Sequence, residues 1–401
     1  MKTRTVVIAL VALSLATSML LVPDAKAQNE RHKWMYLLYL DADNSLDVNT
    51  GPHHASVVGS DFGELKSVGS TNEVVCYVLV DRLAGPANLF KVNKGSMEEM
   101  KGFALNGKEI NMGDPETLRS FVTYTSSLTP ADNTILIFWD HGSLRYVASD
   151  DHVSAGGGTD TLTHHEVVQA LAGLDVDVIC ADECNVGQIE IAYEYATNLH
   201  AQYLVAAETY TGWRGFPYDA TLGEMTKNPD MTSREAAIMM VDQTQLLLNK
   251  PPYMGERINT HAAFDLAKTK DLVASMKGLT GLLVGDMGDY INAISKARGN
   301  AQYCYGANAE NRIDLGTFVE ALCAGVADKT IKDACTSVLA NLDATVVAVH
   351  ATGSLDHMIH GLGITMPDHS WEMPSYYSGF SFAGEGWMTF LEAYWSAHGS
   401  V

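Results

Sequence analysis

Ile135-Leu-Ile-Phe-Trp-Asp-His141-Gly142 and Val176-Asp-Val-Ile-Cys-Ala-Asp182-Glu183-Cys184 decide how this chain is read. Each is a short apolar, β-branched run that ends abruptly in reactive side chains. Such runs fit strands buried on both faces of a parallel sheet. In open α/β sheets the ligand site lies outside the carboxyl ends of the strands. Two neighbouring strands would therefore deliver His141 and Cys184 to one edge. An imidazole beside a thiol supplies a nucleophile and a proton shuttle, the requirement for acyl transfer. Gly142 lets a carbonyl approach the backbone closely. The N–H groups of Gly142 and Cys184 are candidate oxyanion donors. Taken singly, each residue has an ordinary structural reading: a histidine at a strand end, a cysteine after a core strand.

Outward from these segments the pattern repeats. Trp34–Leu40 reads as a first strand, ending in the polar Asp41-Ala-Asp43-Asn44-Ser45. His53–Val68 reads as a helix weakened by two glycines, and Glu73–Val80 as a second strand ending in Asp81-Arg82. Residues 85–113 look like a hairpin excursion. Asp114-Pro115 opens a helix, and Thr163-His-His-Glu166 resembles a capping box leading a helix to Leu171. A helix from Gly187 to Leu199 precedes a short strand, Tyr203–Ala207, ending in Glu208. This alternation implies an α/β fold with a parallel, helix-flanked sheet. Residues 232–250 and 265–298 read as helical, Asp314–Leu322 as a short helix, His360–Pro367 as a late strand, and Trp387–Trp395 as a terminal helix. Neither repeats nor a clear linker interrupt the chain. The expected division is a core at 28–250 and an extension at 251–401, mostly helical with a late strand, packed on that core.

Bulk properties narrow the class. A basic Met1–Arg4, an apolar Val6–Val22 and the small-x-small Ala25-Lys26-Ala27 predict a signal peptide over 1–27 and a secreted or periplasmic protein. Ser14, Thr17 and Ser18 argue against a membrane anchor there, and no later segment is apolar for long enough to span a bilayer. A net charge of −22 argues against nucleic acid and anionic membranes as partners. The six cysteines include no C-x-x-C pair, so a structural zinc site lacks support. Cys304, Cys323 and Cys335 could furnish a disulfide after export. Asp41-x-Asp43-x-Ser45-x-Asp47 alternates oxygens as calcium loops do, but it lacks the glycine and distal Glu of an EF-hand and reads as a turn. His164-His165, at a helix start, reads as capping or exposed.

Trp139-Asp-His141-Gly-Ser followed by Ala181-Asp182-Glu183-Cys184-Asn-Val-Gly187 resembles the His-Gly and Asp-Ala-Cys motifs of clostripain-like cysteine peptidases, of the caspase–gingipain–legumain clan. Tyr39-Leu-Asp-Ala-Asp43-Asn44-Ser-Leu46 is similar to that family's N-terminal strand and turn. Glu64–Ser70, Asp81-Arg82, Glu208–Tyr218, Asp314–Phe318, Gly361–Pro367 and Trp387-x-x-Phe-Leu391 follow in family order. The resemblance implies a caspase-like α/β/α sandwich with a mostly parallel central sheet. It makes His141 the acid/base and Cys184 the nucleophile, with no third catalytic acid, so Asp140 and Glu183 go unassigned. It implies cleavage after Arg or Lys, with Asp182 as an S1 acid beside Glu208 and a loop that here carries Arg214. Arg214 stands where relatives often place an acid; it either opposes a basic P1 side chain or points to solvent near Asp219. Relatives often cleave themselves between the catalytic His and Cys, and Arg145 is the sole basic residue in 143–163. No cofactor is required; calcium, used by some relatives, stays open without an assigned site. The expected protein is thus a secreted, monomeric cysteine endopeptidase acting on peptide or protein substrates through a thioester. The alternatives are a non-catalytic peptide-binding member of the same fold, or a transpeptidase.

Overall fold

The computed structural model describes residues 31–47, 57–154, 156–212, 214–250, 259–304, 311–352 and 359–399. The expected signal peptide, the first residues of the expected His53–Val68 helix, Trp213 and the expected 250/251 boundary lie outside them.

The strands are β1 (His32–Ala42), β2 (Val74–Arg82), β3 (Asn88–Asn93), β4 (Ser96–Glu99), β5 (Ala131–Trp139), β6 (Tyr146–Asp150), β7 (Asp160–Thr163), β8 (Val178–Asp182), β9 (Tyr203–Ala206), β10 (Thr260–Asp265), β11 (Arg312–Asp314), β12 (Val346–Ala351) and β13 (Gly363–Thr365). The helices are α1 (Val57–Val68), α2 (Pro115–Leu128), α3 (His164–Leu171), α4 (Ile189–Asn198), α5 (Tyr218–Lys227), α6 (Ser233–Leu248), α7 (Leu266–Gly285), α8 (Met287–Asn300), α9 (Leu315–Gly325), α10 (Lys329–Thr345) and α11 (Trp387–His398).

Among the described residues nine strands form one sheet in the order β12-β10-β9-β8-β5-β1-β2-β3-β4. Its centre, β9-β8-β5-β1-β2, is parallel, and antiparallel strands close both sides. This is the mostly parallel α/β sandwich anticipated from the sequence. The chain beyond residue 258 adds β10 and β12 to the same sheet, while β11 and β13 pair with each other apart from it.

Strand alternation explains the unbroken apolar runs. Trp34, Tyr36, Leu38 and Leu40 of β1 enter one core, with Ile135 and Ile137 of β5; Met35, Leu37 and Tyr39 enter the other, with Leu136 and Phe138. Both faces are covered, so apolar side chains predominate on each. The sheet is parallel because helices make the crossovers, and their starts are encoded locally. Asp114 accepts from the Glu116 N–H ahead of α2 with Pro115 inside it. Thr163 and Glu166 close the capping box expected at α3.

Three expectations need adjusting. The helix read over 265–298 is two, broken at Asp286, whose ψ of 41° leaves the helical region. The late strand is only three residues long. The loop after His141 contains an antiparallel hairpin, β6–β7, hidden in the sequence by its acidic and glycine-rich composition. Helices α5 and α10 and strand β12 were not read from the sequence at all.

Candidate active site

The register of β5 and β8 sets the site. Trp139 pairs with Asp182 at the last position of the parallel ladder. His141 and Cys184 each lie two residues beyond that pair, at the ends of adjacent strands. Beyond the strands the turns are tightly interlocked: a Cβ on Gly142 would meet Glu183 and the Cys184 carbonyl. Asn185, directly after the cysteine, has a φ of 64°, and its N–H donates to the Thr209 carbonyl at 2.7 Å. Only glycine and a few residues such as Asn adopt that conformation readily. The chain is thereby turned sharply away from the thiol.

Imidazole and thiol are not hydrogen-bonded to each other. His141 Nε2 lies 2.9 Å from Ser45 Oγ. Cys184 Sγ accepts from the Thr211 N–H at 3.4 Å. Burial pushes the thiol up from its ordinary value, against the Thr211 hydrogen bond, and Asp182 pushes the same way. Partial burial lowers His141, against the pull of Asp151. Both groups are therefore uncharged at neutral pH. The N–H groups of Gly142 and Cys184, the expected oxyanion donors, have no protein acceptor among the described residues.

Asp140 does not orient the imidazole. One oxygen accepts from its neighbour's backbone N–H and from Asn44 Nδ2 at 2.7 Å; the other accepts from the Ser149 N–H. Asn44 also donates to the Ser149 carbonyl at 3.1 Å. Asp140 and Asn44 thus fix the His141 loop through its backbone. His164, read as a capping or exposed residue, is buried and works beside them. It bridges Tyr195 OH and the Ser143 carbonyl, each at 2.9 Å, and burial lowers it to about 4. A neutral ring donates from Nε2 to the carbonyl and accepts at Nδ1 from the tyrosine. Sequence offered no signal for this role beyond the histidine itself. Glu183 is buried with both carboxyl oxygens unpaired, and burial raises it well above its usual range.

The S1 candidates separate in space. Asp182 Oδ2 accepts from the Phe216 N–H at 2.9 Å and from Tyr218 OH at 2.8 Å, while Oδ1 is buried without a partner. Burial raises it to about 6. The loop at Gly215 lies directly on this carboxyl. Arg214 neither opposes that pocket nor reaches solvent near Asp219. Its guanidinium is nearly buried against Glu64 and Asp61 of α1 and donates to Ser60 Oγ at 2.8 Å. Glu208 is not brought to Asp182; both its carboxyl oxygens are buried without a hydrogen-bond partner, and burial, with the nearby Asp314 charge, raises it well above its usual range.

Among the described residues no group of three or more His, Cys, Asp or Glu is arranged to hold a metal ion. In the Asp41–Asp47 turn, Asp41 Oδ1 accepts from the Asp43 N–H, Asp43 pairs with His152, and Asp47 with Arg82.

Sheet order, helical cover and a cysteine and histidine at adjacent strand ends define the caspase-like class of α/β sandwich. The clostripain family model (Peptidase C11) matches residues 38–396, and the chain belongs to that family of cysteine peptidases. Clostripain of Hathewaya histolytica is 26% identical over 220 residues, which cover 48% of this chain and 42% of that protein. The match thus spans less than half the length of that curated relative. An inactive zymogen C11 protease from Parabacteroides distasonis superposes with a TM-score of 0.67 at 16% identity, covering 88% of this chain and 98% of that one. A secreted C11 cysteine protease from Bacteroides thetaiotaomicron, solved with an irreversible peptide inhibitor, gives 0.67 at 16%, covering 89% and 99%. Among the described residues no helix is long and apolar enough to cross a membrane.

Proposed function

We propose that this chain hydrolyses peptide bonds with Cys184 as nucleophile and His141 as acid/base. The observation that supports this most is the pairing of β5 with β8, which leaves His141 and Cys184 two residues beyond the last paired position of adjacent strands, beside two N–H groups with no protein acceptor among the described residues. Substrate binding draws the thiol from Thr211 and the imidazole from Ser45. His141 takes the thiol proton as Cys184 attacks the scissile carbonyl. The oxyanion is held by the N–H groups of Gly142 and Cys184, worth about 3 kcal/mol each when well aimed. Collapse to the thioester expels the amine, which His141 protonates. The same imidazole then deprotonates water for hydrolysis of the thioester.

A basic P1 side chain fits the unpaired Oδ1 of Asp182, since a guanidinium there would supply the missing donors. Arg214, neutralised by α1, does not repel it. Cleavage after Arg145 is not part of this reading. Its carbonyl accepts from the His164 N–H at 3.2 Å, its own N–H donates to Ser143 Oγ, and β6 begins at the next residue. Export through residues 1–27 delivers a mature chain from Gln28. No cofactor enters the mechanism.

The test is turnover of a peptide library varied at P1, with Cys184→Ala alongside. Cleavage after Arg or Lys, lost in the variant, is expected. Cleavage equal in both proteins would sink the nucleophile assignment.

A further inference from the structure

The flank of His141 away from Asp182 carries a second group of side chains. A leaving amine must accept its proton from His141, so the leaving half of a substrate lies on that residue's side. The segment Ser143–Tyr146 continues from it. Asp182, Phe216 and Tyr218 face one side of the sheet; Leu144 and Val147 enter the core on the other. A peptide with its P1 side chain toward Asp182 therefore sends its leaving half over the 143–146 segment.

Two cavities adjoin that segment. One, of about 530 Å³, lies between it and residues 311–312 and 371–376. The other, of about 270 Å³, lies toward the start of α3 and residues 379–380. Arg145 and Tyr376 line both and form the wall between them. The Arg145 guanidinium sits 5.7 Å from the centre of the Tyr376 ring, within cation–π range. Arg145 is exposed, and among the described residues no carboxylate lies within ion-pair distance of it. In a chain with 48 acids against 26 basic side chains, a cation left to an aromatic ring alone is unusual. The acids nearest to hand are engaged elsewhere. Glu372 accepts from its own turn at the His369 N–H, and Glu194 accepts from Asn198 and from the Ser381 N–H. Trp371, 68% exposed, offers an apolar wall to the larger cavity.

We infer that Arg145, braced on Tyr376, selects an acidic side chain in the leaving half of the substrate. This rests on the peptidase reading above. For the same residue the resemblance left open either self-cleavage after it or an unprocessed, constitutively open enzyme; here the residue takes a role in specificity.

The test uses internally quenched peptides that differ only in carrying Glu, Gln or Lys at each of the leaving-side positions in turn. The mature protein should favour Glu over Gln at one of them by on the order of tenfold in kcat/KM, the worth of a charge-assisted hydrogen bond. The preference should shrink as salt is raised. Arg145→Glu should reverse the order to favour Lys, and Tyr376→Ala should weaken the preference, with melting followed to show that both variants fold. Equal turnover of Glu and Gln peptides at every position overturns the inference. So does a Glu preference that survives in Arg145→Glu. Absence of Cys184-dependent turnover of any peptide instead removes the peptidase reading, and this inference with it.

Discussion

A Cβ on Gly142 would stand 2.7 Å from the carbonyl oxygen of Cys184. It would also stand 2.6 Å from the Cβ of Glu183. The turn after the histidine is thus seated on the turn that carries the thiol, and neither neighbour is a flexible side-chain end. Gly142→Ala must push the two strand ends apart. We expect a loss of about 1–3 kcal/mol in stability. Displacing an oxyanion donor at the same time should cost on the order of 100-fold in kcat/KM. Denaturant melts and peptide turnover of one preparation measure both; an active, equally stable variant would falsify the interlock.

The uncharged resting pair predicts the pH behaviour. With the thiol raised and the imidazole lowered, almost no thiolate exists near pH 7 before substrate binds. Alkylation of Cys184 by iodoacetamide in the free enzyme should climb with pH beyond 8, following the thiolate fraction. A plateau in the acid range would mean a preformed thiolate–imidazolium pair. Peptide turnover has a different requirement: His141 must be neutral to take the proton. The acid limb of kcat/KM should therefore have its midpoint below about 6.5, the ordinary histidine value.

Asp182 sets function against stability. Burial raises its folded value to about 6 from 3.8. The folded state holds this proton more tightly than the unfolded chain does. The resulting stability is complete below about pH 4, is lost as pH rises through 4 to 6, and leaves a cost of up to about 3 kcal/mol above that. Asp182→Asn keeps acceptors for Phe216 and Tyr218. It should melt higher than the parent at pH 7.5, with the gap closing near pH 4, while turnover after Arg or Lys collapses. Thermal melts across this pH range decide it; a variant that melts lower throughout would count against an ionised Asp182.

Arg214→Ala should destabilise by about 3 kcal/mol, because it strips a buried charge partner from Asp61 and Glu64. Asp61 also accepts from Trp139 Nε1 at 3.0 Å, so the damage reaches the end of β5. Asp61→Asn added to Arg214→Ala should recover part of the loss. A double variant no more stable than the single would remove Asp61 from the account.

What was legible in the sequence follows from distance along the chain. Strand ends were readable because a parallel strand buried on both faces is a continuous apolar run, and its first polar residues mark the edge. Helix starts were readable where the cap lies within three residues, as at Asp114 and Thr163. Contacts between distant segments left no such mark. Asn44 reaches Asp140 across 96 residues, and Arg214 reaches α1 across about 150. Nothing local to Arg214 indicates that helix, so solvent and Asp219 were the natural expectations. His164 misled for a similar reason: a histidine pair at a helix start looks polar, and only the packing of Tyr195 buries it. Glu208 sits at the expected strand end, yet the charge that bears on it, Asp314, comes from more than a hundred residues downstream.

The position of β5 in the sheet has a consequence for intactness. It is clamped between β1 and β8, with β2 and β9 beyond them. The chain between β5 and β8 runs outside that sheet, through β6, β7 and α3. A single scission in the 151–159 stretch would therefore yield two polypeptides on a denaturing gel and one particle on a native gel. Once folding is complete, hydrogen bonds across the sheet hold the ends of β5 and β8 side by side, and the covalent thread between them is dispensable to it.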